Sequence, residues 1–343
     1  MHSGPLRVLE IYGDPTDFGR THGMECAEMI GAYLADRLGL SGDPTWSGHT
    51  AERETILELA KSTLPFHRDY SPSLYEELEA LSAAAGISPA EAIVVGGFTD
   101  LVDIIRAQTG IAPVEDDCTA VLDPTRGVFA QTWDMHASAG KYVLMLKLDP
   151  IKGPGAVVQT TAGCLGQIGM NEAGIGIGIN NLTSYGKPGV TWNFVVRKAL
   201  QQTDFDAAVE CVLDAELAGG HNFTLIGPDG KGVNVEAMPG SVSISEVDDS
   251  PFVHTNHCLD LETIKEEGPR TYEHQEDSLA RLEAGMLSAN DLDSFFANPT
   301  IARRATDPSA TATCGAVVMR SGDRQLDSVW GVPGDEPWET FQL

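Results

Sequence analysis

One cysteine of the six in this chain stands where a thiol can do chemistry on its own backbone. In VEDDCTAVLDPTRGVFAQTWD, residues 114–134, an acidic loop runs straight into Cys118, which opens the first well-formed strand pattern. A thiol at such a junction can attack the carbonyl just before it, and the N-to-S acyl shift gives a thioester that water then hydrolyses. The bond broken is the one between Asp117 and Cys118. Cys118 is left with an α-amino group on the residue that carries the thiol. An α-amino pKa of about 7.7 to 8 lies close to a thiol at about 8.5, so proton exchange between the two is nearly balanced at neutral pH and the amine can serve as the general base. No catalytic histidine is required. Taken from the residues alone, a buried strand cysteine that follows a loop fits the same pattern.

The segment HTNHC, 254–258, offers competing chemistry. His254 and His257 have metal-ligand spacing and Cys258 follows, but no carboxylate or second cysteine cluster completes a ligand set. A thiol–imidazole pair of Cys118 with His254 or His257 has all its residue types present. The order of elements is against it, because no helix begins at the cysteine. The run GIGIGI at 174–179 has the glycine spacing of a dinucleotide loop, yet isoleucine between the glycines reads as a tightly packed strand with no following helix, so no nicotinamide site is expected.

Positioning Cys118 requires a strand-rich body. From 118 onward, CTAVLD, GVFAQTWD, KYVLMLKLD, GAVVQTT, GIGIGINNLT, HNFTLIG, GVNVEAM and SVSIS are short runs rich in valine, isoleucine, threonine and aromatics, and turn segments such as DPTRG and GPDGKG join several as hairpins. Helices interrupt the series at WNFVVRKALQQ and FDAAVECVLDAEL, and later at 271–286 and 290–297. The part before the cysteine reads as helical, with apolar periodicity over roughly 17–38 and 51–64. Ser71-Pro72 and Ser88-Pro89 open two further helices, with Gly86 as the stop of the first. No strand-rich core is expected in that part, and IAPVEDD at 111–117 reads as an exposed, cuttable loop. The pattern predicts an α+β fold of two packed sheets with helices outside.

A length of 343 residues with 42% hydrophobic content supports a large folded core. A net charge of −28, from 50 acidic and 22 basic residues, repels phosphate backbones and anionic lipid surfaces, so neither nucleic acid nor membrane is an expected partner. The widely spread cysteines, the absence of an apolar run of membrane-spanning length and a start without a basic-then-apolar leader together predict a reduced, cytoplasmic protein.

The junction, together with GDPTDFGRTHG at 13–23, GMNEAGIGIGINNL at 169–182, VTWNFVVRKALQQ at 190–202 and FVHTNHCL at 252–259, resembles the acyl-coenzyme A:isopenicillin N acyltransferase family of N-terminal-nucleophile hydrolases, in the family's order and at similar spacing. The resemblance implies a four-layer αββα sandwich, self-cleavage before Cys118 and a cofactor-free amidohydrolase or acyltransferase acting on a small amide. It implies a helical segment 1–117 as the α chain and a catalytic β chain 118–343, both from one precursor and together forming one domain, with homo-oligomerisation left open. It assigns Asp134 to the new α-amino group and the side-chain amide of Asn256 to the tetrahedral oxyanion. Asn180, Thr132 and His254 are secondary candidates around the substrate. Asp117 stands where the penicillin enzyme has glycine. The rivals are an unprocessed cysteine–histidine amidase and a non-catalytic binding protein on the same fold.

Overall fold

The structure is a computed structural model and describes residues 6–48, 50–110 and 117–343. The acidic loop expected at 111–117 therefore lies outside the described residues except for Asp117. The N-terminal segment folds into α1 (Pro15–Glu25), α2 (Ala27–Ser41), α3 (Pro44–Ser47), α4 (Arg53–Tyr70), α5 (Pro72–Ala85), α6 (Pro89–Gly96) and α7 (Phe98–Thr109). The starts are written in the sequence. Asp14, Ser71 and Ser88 each accept a backbone N–H in the first turn, and Pro15, Pro72 and Pro89 follow them. Two boundaries differ from expectation. The helix expected over 17–38 is broken at Cys26, and the one expected to end near 64 runs through Pro65 to Tyr70, because its buried stripe of Ile56, Ala60, Thr63 and His67 continues past the proline.

The segment also opens with a strand that the helical reading missed, β1 (Val8–Gly13), whose residues alternate between exposed and buried. The remaining strands are β2 (Asp117–Asp123), β3 (Val128–His136), β4 (Val143–Pro150), β5 (Ala156–Thr161), β6 (Ile168–Asn171), β7 (Gly176–Leu182), β8 (Gly220–Ile226), β9 (Gly232–Ala237), β10 (Val242–Val247), β11 (Phe252–His254), β12 (Thr311–Arg320), β13 (Gln325–Trp330) and β14 (Glu339–Gln342). Helices α8 (Trp192–Ala199) and α9 (Phe205–Leu213) fall between β7 and β8, and α10 (Tyr272–Ser288) and α11 (Leu292–Ala297) between β11 and β12.

Two sheets result, one ordered β1-β4-β5-β6-β7-β8-β9-β10 and the other β11-β2-β3-β12-β13-β14. β1 lies parallel to β4, so the N-terminal segment is built into the first sheet. The sheets face each other. Gln159 of β5 crosses the gap and donates to Ser328 Oγ at 2.7 Å and Val329 O at 3.2 Å, while Gln131 of β3 donates to the carbonyl of Ile179 in β7. A separate core on the far side of the second sheet, with Val121, Ala130 and Val318 against Phe295 and Phe296, packs that face under α10 and α11. Helices α8 and α9 contact the first sheet at β7 and β9. The layers are those of an αββα sandwich. GIGIGI is a strand in close packing, as its pattern suggests: a Cβ on Gly178 would lie 2.1 Å from Gln131 Oε1. Among the described residues no single helix is long and apolar enough to cross a membrane.

The glycines of GDPTDFGRTHG serve helix packing. A Cβ on Gly19 would meet the Glu77 carbonyl oxygen at 2.0 Å and one on Gly23 would meet that of Leu81 at 2.4 Å, so both let α1 lie against α5. Gly31, exposed in α2, would meet nothing. We expect Gly19→Ala to lower stability by about 1–3 kcal/mol and Gly31→Ala to raise it by about 0.5–1 kcal/mol. Urea titration of both variants checks the pair, and equal effects would discount the close approach.

Candidate active site

The turn DPTRG sets the register on which the site is built. Asp123 Oδ1 accepts from the N–H of Thr125 at 3.0 Å and of Arg126 at 3.2 Å, closing the β2–β3 hairpin. The ladder then pairs Asp117 with Asp134, Cys118 with Trp133 and Thr119 with Thr132. A slip of one residue would send Asp134 to the other face. Local turn chemistry therefore decides that this carboxylate sits beside the junction.

β11 pairs with β2 so that His254 lies opposite Ala120. Two residues on, Asn256 reaches the junction and its Oδ1 accepts the N–H of Cys118 at 2.7 Å. The same oxygen accepts from Arg281 Nη1 at 2.9 Å, and Asn256 Nδ2 donates to the carbonyl of Asn181 at 3.0 Å. Two donors on one atom and an acceptor on the other determine which way the amide points. Asn256 thus presents its oxygen to the nitrogen of Cys118, and one of the two N–H groups on its Nδ2 is given to the Asn181 carbonyl.

Asp117 is clamped by two arginines. Arg281 Nη2 donates to its Oδ1 at 2.8 Å and Arg303 Nη1 to its Oδ2 at 2.5 Å. Asp277 accepts from Arg281 Nε and Arg303 Nη1, both at 3.0 Å, and Arg281 Nη1 also donates to the Cys118 carbonyl at 2.6 Å. Burial works against the Asp117 carboxylate, but Arg281, Arg303 and His274 together hold its pKa below the ordinary value. Opposite it, Asp134 is pushed up to about 7, chiefly by burial and further by the Asp117 charge, against the pull of Arg303, Thr313 and Arg281. Its Oδ1 accepts from Thr313 Oγ1 at 2.6 Å, while Oδ2 is buried with no partner among the described residues. Asp134 is thus a carboxyl that exchanges a proton near neutral pH.

Cys118 is buried and lines a cavity of about 30 Å³, enough for a water or two. Tyr33, Val95 and Phe98 of the N-terminal helices form one wall, and Trp133, Ile179 and Trp192 are among the other lining residues. The structure therefore brings together Cys118, Asp117, Asp134 and Asn256. It does not bring the secondary candidates to the cavity. Asn180 binds Asn222 and the carbonyl of His254, while its neighbour Asn181 lines the space. Thr132 accepts the Thr119 N–H at 3.3 Å. His254 has one ring nitrogen 2.9 Å from Glu236 Oε1 and the other 2.8 Å from the Thr255 carbonyl, and His257 turns to Ser278 at 2.8 Å, so neither imidazole is presented to Cys118.

Sequence reasoning missed Arg281. Its only signal was an arginine four residues after Asp277 on α10, the spacing of an ordinary surface pair, and nothing local tells that this face is buried against β2. Arg303 and Arg304 were equivalent by sequence. The structure separates them, with Arg303 on Asp117 and Arg304 on Asp335 at the surface.

Comparison with known proteins gives concordant matches. The model of the family described as acyl-coenzyme A:6-aminopenicillanic acid acyl-transferase matches residues 121–307, more than half of the chain. The 40 kDa form of acyl-coenzyme A:6-aminopenicillanic-acid-acyltransferase from Emericella nidulans is 25% identical over 252 residues, covering 72% of this chain and 68% of that protein. Among solved structures, penicillin V acylase from Agrobacterium tumefaciens aligns with a TM-score of 0.40 at 11% identity, over 64% of this chain and 85% of its own. A variant of conjugated bile acid hydrolase from Clostridium perfringens aligns with a TM-score of 0.46 at 10% identity, over 66% and 92%. Structural likeness of that depth adds nothing to the family match.

Two outcomes follow, both measured on a chain kept whole by Cys118→Ala. Asp117→Asn leaves Arg281 and Arg303 without their shared carboxylate and should lower unfolding free energy by about 3–5 kcal/mol, read from urea midpoints. For Asp134 the folded pKa of about 7 exceeds the ordinary carboxyl value of 3.8, so the folded state holds the extra proton in that window and stability falls as pH rises through it. Asp134→Asn removes this loss. Its stability relative to the parent should rise between pH 4 and 7.5, and a difference that stays flat would exclude the raised pKa.

Proposed function

The chain belongs to the acyl-coenzyme A:6-aminopenicillanic acid acyl-transferase family, and on that premise we propose that it matures by cutting itself between Asp117 and Cys118 into an N-terminal-cysteine amidase or acyltransferase. It is an enzyme of amide acyl chemistry, either hydrolysing carbon–nitrogen bonds or transferring the acyl group. One observation carries the proposal: the Cys118 N–H is held by Asn256 Oδ1 at 2.7 Å beside a buried Asp134 that has an unpartnered oxygen.

In the whole chain, the Cys118 sulfur attacks the Asp117 carbonyl carbon, and the proton it gives up returns to Asp134 in place of the one Asp134 passes to nitrogen. The tetrahedral adduct collapses by breaking the bond to the Cys118 nitrogen, which takes a proton and becomes the α-amine. Asp134, half protonated near neutral pH, is suited to supply that proton from its open oxygen. Asn256 Oδ1 keeps the nitrogen in place as it changes from amide to amine. Water then hydrolyses the thioester, leaving Asp117 with a carboxylate and Cys118 with its thiol. In the mature enzyme the α-amine accepts the thiol proton as sulfur attacks a substrate amide, and returns it to the departing amine. Water or a second amine releases the acyl group from sulfur. As an ammonium, the α-amine donates a charge-assisted hydrogen bond to the Asp134 carboxylate.

Support for two chains of 1–117 and 118–343 acting as one domain comes from what ties them. β1 is a parallel edge of the first sheet, and α7 is anchored by Asp100 at 2.9 Å from His221 and by Asp103 accepting from Ser184 Oγ at 2.7 Å. The strongly acidic surface disfavours a polyanionic thioester as substrate, and six buried cysteines suit a reducing, cytoplasmic setting.

Denaturing mass spectrometry tests the cut directly. Two chains meeting at Asp117 and Cys118 are expected from the wild type and one from Cys118→Ala. An active protein that remains a single chain would falsify self-processing. Asn256→Ala should slow the cut on the order of 10- to 100-fold, as loss of a hydrogen bond worth about 1.5–3 kcal/mol requires.

A further inference from the structure

We propose that Arg281 and Arg303 form the acyl subsite of the mature enzyme and that this subsite selects amides of succinate-type half-acids, in which a carboxylate lies two carbons from the reacting carbonyl. The inference rests on the self-processing reading. In that reaction the acyl group loaded onto Cys118 is the residue before it, and Asp117 is an amino-substituted succinyl group: a carbonyl, two carbons and a carboxylate. That carboxylate is received by Arg281 at 2.8 Å and Arg303 at 2.5 Å while its own carbonyl is the one next to Cys118. The uncut chain thus displays an acyl group in place, with its distal charge recognised by two planar cations that suit a carboxylate.

Hydrolysis unties Asp117 from Cys118 and lets it be exchanged. The groups left around the clamp are Asp277, shared by both arginines, Asp134 with a pKa of about 7, and His274. Two permanent cations then face one permanent anion. The Arg281 side chain has no solvent exposure, and loss of Asp117 would leave it and Arg303 sharing Asp277 alone, which favours an incoming carboxylate at the vacated position. The Arg303 side chain is 25% exposed and gives an anion a way in. At ordinary salt the repulsion from surface charges more than about 10 Å away is largely screened, so at the clamp the nearby cations dominate the net charge of −28.

The reaction balances without a co-reactant other than water. Cys118 Sγ bonds to the succinyl carbonyl carbon, the amide carbon–nitrogen bond breaks and the amine leaves with the proton carried by the α-amine. Water splits the thioester to succinate and regenerates the thiol.

The experiment compares succinyl and butyryl p-nitroanilides, which differ by a carboxylate in place of a methyl group, on wild-type protein shown by mass to be two chains. The expected result is a kcat/KM at least tenfold higher for the succinyl amide, with competitive inhibition of butyryl hydrolysis by free succinate but not by butyrate. Arg303→Gln should bring the ratio of the two rates towards one and Arg303→Lys should partly restore it. The succinate arm needs no variant, so failure of Arg303→Gln to mature does not block the test. A two-chain enzyme that hydrolyses the butyryl amide at least as well and ignores succinate overturns the subsite and leaves self-processing standing. A chain that stays whole and acts on neither amide overturns both.

Discussion

A guanidinium placed entirely out of water has to be satisfied on every side, and Arg281 meets that condition by touching the carboxylates of Asp117 and Asp277, the carbonyl of Cys118 and the side chain of Asn256. Those contacts come from a helix, a strand and a loop after a different strand. None can shift without exposing or orphaning a buried charge. The position of α10 over the second sheet, the entry of β2 and the turn after β11 are therefore locked to one another. The junction in front of Cys118 is held at the point where they meet.

Burial has opposite consequences for two aspartates that face each other across the ladder. Asp117 has two guanidiniums within hydrogen-bonding distance and stays ionised. Asp134 has a hydroxyl on one oxygen and nothing among the described residues on the other, so desolvation wins and its proton is held to about pH 7. Two carboxyls in one pocket are thereby divided into a fixed anion and a proton-exchanging group, the kind of separation that acid–base chemistry at neutral pH needs.

The N-terminal helices complete the Cys118 cavity from outside the strand body. Gly19 and Gly23 bring α1 onto α5, and His22, kept neutral with a pKa lowered to about 4 chiefly by burial, accepts the N–H of Gly163 in the loop after β5. α6 and α7 supply Val95 and Phe98 to the cavity. Arg106 at the end of α7 is buried against carbonyls of Ser184 and Pro269. A segment that would be separated by a cut is thus bound to the rest by sheet pairing, buried polar contacts and apolar packing at once.

Much of this was legible in the sequence because it is local. Proline and serine at helix starts, the DPTRG turn, the valine- and isoleucine-rich runs and the placement of Cys118 at the head of one of them all act through neighbouring residues, and they specify helices, hairpins and the nucleophile's position. β1 escaped because a six-residue strand at a sheet edge has no partner nearby in sequence, its pair being β4 more than a hundred residues on. Tertiary structure alone decided the electrostatics. Arg281 and Arg303 look like surface charges until α10 and the approach to β12 cover them, and Asn256 turns its oxygen rather than its NH₂ to Cys118 because Arg281 donates to that oxygen and the Asn181 carbonyl accepts from the nitrogen. Pairing, burial and charge compensation between distant segments are properties of which surfaces meet, and no window of neighbouring residues contains them.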